Sequence, residues 1–180
     1  MGSDHREYEN LIGPIEDQMI RSVWRIVRDA DDADDAFQQA LETIWKRLER
    51  IRRHPNPRAL ILRICVNAAY DVLRKRTRRR RREIPDVIPA DLPDTSPSAA
   101  DRIAAREGHS EILSAISRLP RSQAQAVLMR FVQELPYCEI AQALGCSEAT
   151  ARRHIANARV RLQEMLGHLT ARRSQEVRES

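Results

Sequence analysis

Apolar residues recur at three- and four-residue steps along almost the whole chain, and no segment shows convincing strand alternation. No other feature constrains the fold as tightly. Each such stripe must be buried against another helix, so the fold class is all-α. Ile15, Met19, Val23, Ile26 and Val27 form one stripe, which predicts a helix over 11–29 with Pro14 in its first turn. Ala36, Phe37, Ala40, Leu41, Ile44, Trp45 and Leu48 form a second, over about 33–50. The opposite stripe of that helix is polar: Asp35, Gln38, Gln39, Glu42 and Lys46. His54-Pro55-Asn56-Pro57 then breaks the chain. Asn56 can cap a third long helix, with Pro57 at its first position, running to about residue 80.

Residues 83–101 change character. Pro85, Pro89, Pro93 and Pro97 stand among Ser and Asp, which predicts an extended acidic linker. Helical periodicity resumes near Ala104 and continues to about Leu169. The expected organisation is therefore two small helical domains, 8–82 and 104–169, a flexible linker 83–103 and a polar tail 170–180. Domains this small have marginal cores, so partner binding is expected to add stability. The linker has little apolar surface to bury, so neither domain is expected to fix the other.

Lys and Arg number 31 against 26 Asp and Glu, which points to an anionic partner. No apolar run approaches the ~20 residues that cross a bilayer. The N-terminus has no apolar signal region, so no membrane insertion is expected and the location expected is cytoplasmic. Cys65, Cys138 and Cys146 fit a reducing compartment. Cys138, Cys146 and His154 could be drawn into a metal site, but the cysteine spacing matches no zinc pattern and buried thiols are the simpler reading. No metal or cofactor is expected. An enzyme is not expected either: there is no clustered acidic triad, Gly-rich phosphate loop or His/Cys/Asp nucleophile set. The acidic run Asp29 to Asp35 leads into a helix N-terminus, where the dipole favours negative charge.

Two segments point to nucleic acid. After Pro136, TyrCysGluIleAlaGlnAlaLeu reads as a short helix, Gly145-Cys146 as a tight turn and Ser147 as the N-cap of the next helix. Ile140, Ala141, Leu144, Ala151 and Ile155 face inward, which gives a helix-turn-helix. Its second helix presents Glu148, Arg152, Arg153, Ala156, Asn157 and Arg159. Arg and Asn are side chains that read base edges or hold phosphates in a major groove. The other segment is the third long helix. Its exposed stripe is expected to be Arg63, Asn67, Tyr70, Asp71, Arg74 and Arg78, followed by a basic run to Arg82. Positive charge beside an aromatic and an amide suits single-stranded or distorted DNA.

Together these stretches resemble the extracytoplasmic-function (group IV) sigma factors of bacterial RNA polymerase. Residues 32–45 are similar to the family's polymerase-binding helix in region 2, and 57–76 to its promoter-melting helix. Residues 119–131 and 137–159 are similar to region 4. The resemblance implies that Asp32, Asp35, Gln38 and Gln39 face the clamp helices of the largest polymerase subunit, with Glu42 on the same stripe. It implies that Arg58, Arg63, Asn67, Tyr70 and Arg74 lie near the minus-10 element. Asn67 would help hold a base flipped from the non-template strand, in a pocket partly formed by loop 49–56. Arg152, Arg153, Ala156 and Asn157 would enter the major groove at the minus-35 element. Region 4 would also dock on the flap of the second-largest subunit, and the linker would thread toward the RNA exit path.

The implied partners are core RNA polymerase, promoter DNA as duplex and single strand, and an anti-sigma factor. The free chain is expected to be a monomer. Gln39 stands where the family usually has an acid, Leu60 where an aromatic is usual, Ala151 for a common Val and Asn157 for a common Arg. With Ile51 and three Arg in loop 49–56, these departures bear on which promoter is read. The rival reading is a helix-turn-helix regulator that works without polymerase. It would usually need a dimer, and it leaves the 35–46 stripe and the basic helix without a use.

Overall fold

The computed structural model describes residues 2–82 and 108–176. The predicted linker falls outside the described residues, as do the last four positions of the tail. The helices in chain order are α1 (Gly2–Ile12), α2 (Glu16–Val27), α3 (Ala30–Lys46), a short α4 (Leu48–Arg52) and α5 (Pro57–Arg82). They continue with α6 (108–117), α7 (Arg121–Phe131), α8 (Tyr137–Leu144) and α9 (Glu148–Glu176). No strand occurs among the described residues, and none of their helices is long and apolar enough to cross a membrane.

Local chemistry sets the helix boundaries. Asp29 is extended, and its Oδ1 accepts the Asp32 N–H at 3.1 Å, so the acidic run caps α3. Asn56 Oδ1 accepts the Ala59 N–H at 2.9 Å and starts α5. Arg28 ends α2 in the left-handed region, its N–H donating to the Trp24 carbonyl at 3.0 Å. The helix predicted over 11–29 is interrupted: Gly13–Ile15 form a 3-10 turn containing Pro14, and α1 precedes it. Proline has no N–H and fixes φ, so it favours the first turn of a new segment over the interior of a continuous helix. The second predicted helix begins at Ala30 and breaks at Arg47.

The first half packs α2 and α3 on α5 around Met19, Val23, Ile26, Ile44, Ile61 and Leu62, all essentially inaccessible. Burying each such side chain contributes about 1.5–3 kcal/mol. Ala36 and Ala40 are fully buried and let α3 approach α5 closely. Trp45, expected on the buried face, is 50% exposed and meets the Tyr8 ring edge-on at 5.4 Å. Cys65 is buried, and burial pushes its thiol up to about 12. Cys138 is exposed and Cys146 half-buried, so the expectation of buried thiols holds for Cys65 alone.

The second half packs α7, α8 and α9 together around Ala124, Leu128, Ile140, Ala151 and Ile155. Both α7 and α8 also pack on α5, and the two halves share one hydrophobic core. The expectation that neither half fixes the other is therefore corrected. The reason lies in α5. Ile61, Leu62, Ile64, Cys65, Val66, Ala68 and Ala69 are all buried and run around the helix rather than along one stripe. A helix apolar on several sides needs partners on several sides.

Candidate nucleic-acid and polymerase interface

The helix-turn-helix forms as its sequence requires. Pro136 leads into α8, and Gly145 ends it at φ +68, with its N–H bonded to the Gln142 carbonyl at 3.2 Å. The Cys146 N–H reaches the Ala141 carbonyl at 3.0 Å. Ser147 Oγ accepts the Thr150 N–H at 3.1 Å and caps α9. Ala151, Ile155 and Ala158 point into the core, which leaves Arg152, Arg153, Ala156, Asn157 and Arg159 exposed. His154 is half-buried. The Arg152 guanidinium carbon lies over the Tyr137 ring, 4.1 Å from its centroid, and Arg152 pairs with Glu148 four residues before it.

On α5 the predicted promoter-facing residues converge, but α7 and α8 cover much of that face. Arg58 donates to Gln18 Oε1 at 2.7 Å and to Glu139 on α8 at 3.3 Å. Asn56 Nδ2 donates to Gln142 Oε1 at 3.1 Å. Arg63 donates to the Ala143 carbonyl, and Gln125 on α7 donates to Asn67 Oδ1. Asp71 pairs with Arg121 at 2.9 Å, while Arg74 and Arg78 are exposed.

Tyr70 is not on an exposed stripe. It is 1% exposed, and its hydroxyl donates to the Leu119 carbonyl at 2.9 Å, with the Ser117 carbonyl at 3.3 Å. The segment joining α6 to α7 buries it, which the helical period of α5 alone could not show.

A 560 Å³ cavity remains between the halves, lined by Gln39, Thr43, Arg47, Arg63, Asn67, Asp71, Arg121 and Gln125 among others. Burial pushes the Arg63 guanidinium pKa down, and the charges of Arg50, Arg121 and Arg47 push it down further. The cavity wall carries Arg47, Arg63 and Arg121 against one carboxylate, Asp71, which pairs with Arg121. On α3, Asp35, Gln38, Gln39 and Glu42 lie exposed, with Asp32 half-buried at the helix start. Glu42 pairs with Lys46 at 3.0 Å, a solvent-exposed contact worth little.

Sequence reasoning missed the partners that close the two halves: Glu139, Gln142, Gln125 and Arg121. Each is polar and unremarkable in its own helix, and each meets a residue 50 or more positions away. It also missed Tyr137, whose signal was an aromatic at the first position of the helix-turn-helix.

Comparison with known proteins agrees with this geometry. The Sigma-70 region 2 model matches residues 11–79, and the Sigma-70 region 4 model matches residues 109–162. The ECF RNA polymerase sigma factor SigM of Mycobacterium tuberculosis is 30% identical over 169 residues, covering 94% of this chain and 82% of that one. The RNA polymerase sigma-E factor of Streptomyces coelicolor is 28% identical, covering 89% of this chain and 86% of its own. Among solved structures, CnrH in complex with the cytosolic domain of CnrY superposes with a TM-score of 0.54 at 18% identity, over 91% of this chain and 90% of that one. The sigma factor RpoE in complex with the anti-sigma factor NepR, from Bartonella quintana, gives 0.51 at 20% identity, over 90% of this chain and 98% of its own. Both show the same fold. With sigma-70 regions 2 and 4 in order on one all-helical chain, and a relative of this identity along most of its length, the chain belongs to the ECF sigma factors of RNA polymerase.

Proposed function

We propose that this sigma factor brings core RNA polymerase to its promoters through separate faces of α3, α5 and α9, and helps open the DNA there. The α3 face, Asp32, Asp35, Gln38, Gln39 and Glu42, meets the polymerase clamp. Its carboxylates suit a basic partner, and the exposure of Asp35, Gln38, Gln39 and Glu42 supports the assignment. The α9 face, Arg152, Arg153, Ala156 and Asn157, enters the major groove at minus-35. There a bidentate Arg favours guanine and Asn favours adenine, each worth about 1–3 kcal/mol of discrimination.

The α5 face, Arg58, Arg63, Asn67 and Arg74, holds the minus-10 strand. Its arginines neutralise phosphates, and the Asn67 amide offers donor and acceptor to an unstacked base. Tyr70 joins this face only once α6 and α7 have moved. In the described arrangement Arg58, Arg63 and Asn67 already have partners on α7 and α8, so promoter engagement exchanges those partners for DNA. Residues 8–82 and 104–169 act as the two units, with 83–103 spanning between them. An anti-sigma factor is a further partner on this reading.

The observation that carries the reading is the exposed Arg152–Asn157 face beyond the Gly145 turn, on the same chain as an arginine-rich α5. Gel filtration of the chain with core RNA polymerase tests it. The wild type should co-elute, and Asp35→Arg should weaken the complex while helical content stays unchanged. A wild-type chain that elutes apart from core enzyme would sink the proposal.

A further inference from the structure

Tyr137 opens α8, and guanidinium groups from two other helices lie over its ring. The Arg152 carbon is 4.1 Å from the centroid and the Arg130 carbon 5.2 Å. We propose that Tyr137 is a positioning residue for base reading at the minus-35 element: its ring fixes the plane of the Arg152 guanidinium, and so the base which that side chain prefers. The inference rests on the reading of α9 as the minus-35 helix.

An exposed Arg on a helix samples many rotamers, and ordering it at an interface opposes binding. Arg152 is held at two points before any DNA arrives. Its guanidinium carbon lies over the Tyr137 ring, and its Nη2 donates to Glu148 Oε1. Stacking would use the face of the guanidinium, and the Glu148 contact takes one Nη2 N–H, which leaves the remaining edge N–H groups for a fork on guanine O6 and N7. Arg153, one residue on, has neither contact among the described residues, and serves as an internal control.

The ring itself is well anchored. Tyr137 is half-buried and follows Pro136, whose φ is −69°. Ile140 and Ala141, later in the same short helix, are in the core. Arg130, the second cation over the ring, is tied to the preceding loop by a 3.1 Å bond to the Leu135 carbonyl. The Tyr137 hydroxyl makes no hydrogen bond with the described residues. The contact is therefore made by the aromatic face, and phenylalanine should replace tyrosine.

The test is selection from a promoter library randomised across the minus-35 element, with the full chain bound to core polymerase. Preference is read as a base ratio among bound templates, so a smaller folded fraction does not change it. Tyr137→Leu should reduce preference at the position that Arg152→Ala flattens, by about 2- to 5-fold for an exposed cation–π contact. Tyr137→Phe should keep the wild-type profile. Tyr137→Leu combined with Arg152→Ala should be no flatter than Arg152→Ala alone, whereas Tyr137→Leu and Arg153→Ala should act independently. An unaltered profile in Tyr137→Leu, with a flattened one in Arg152→Ala, would overturn the inference and leave the α9 reading standing. Loss in Tyr137→Phe equal to that in Tyr137→Leu would assign the effect to the hydroxyl and overturn it too. An unaltered profile in Arg152→Ala would overturn the α9 reading and the inference with it.

Discussion

Tyr70 shows how one side chain can be read correctly for its helix and wrongly for its surroundings. Its spacing from Arg63, Asn67 and Arg74 places it at the edge of the polar stripe, and sequence carries no further information about what lies over it. In the fold it sits under the α6–α7 junction, with its hydroxyl on the Leu119 carbonyl. Tyr70→Phe leaves that carbonyl without its donor in a buried place, which costs about 1–3 kcal/mol. Urea unfolding of the full chain should show a lowered midpoint at unchanged slope. An unshifted midpoint would mean that the hydroxyl contributes nothing to closing the two halves. Asn67 and Arg63 differ from Tyr70 in remaining half-buried, so the exchange from protein to DNA proposed for them needs less rearrangement.

At the scale of elements, the parts legible in sequence are those whose cause is local. The caps at Asn56 and Ser147 are each made by the residue expected, because a cap depends on a few neighbouring atoms. The Gly145 turn is legible for the same reason. A Cβ added there meets no atom within 4 Å, so the glycine is required by its φ of +68° and not by crowding. Gly145→Ala should therefore destabilise the fold by about 1–2 kcal/mol, the torsional cost of a left-handed L-residue, and Gly145→Asn by less. Thermal unfolding of both variants checks the order, and equal loss in the two would point to a steric cause instead. Boundaries without a strong local signal moved: α1 was not foreseen, and α3 ends at Lys46 where a longer helix was expected. The two-sided apolar character of α5 was visible in Ile61, Leu62, Ile64, Cys65 and Val66, but which helix would cover its second side was not. That depends on pairs such as Gln125 with Asn67, far apart in the chain and ordinary in composition.

For the whole molecule, the central fact is that the region matched to sigma-70 region 4 packs through α7 and α8 on α5 of the region matched to region 2, over the face proposed to hold the minus-10 strand. The buried contacts include Gln133 Nε2 on the Leu62 carbonyl at 2.8 Å, beside the shared apolar core. A cut within 83–103 should then leave two fragments that co-elute in gel filtration at low denaturant. Fragments that separate at once would show the closed arrangement to be weak. What this closed chain does is decided by transcription. Core polymerase should be given a genomic fragment library with and without the full-length protein, and the run-off transcripts mapped to their start sites. A sigma factor of this kind should yield start sites that appear only with the protein and share minus-35 and minus-10 sequences at fixed spacing. The same transcripts with and without it, despite a folded and monomeric chain, would contradict the assignment.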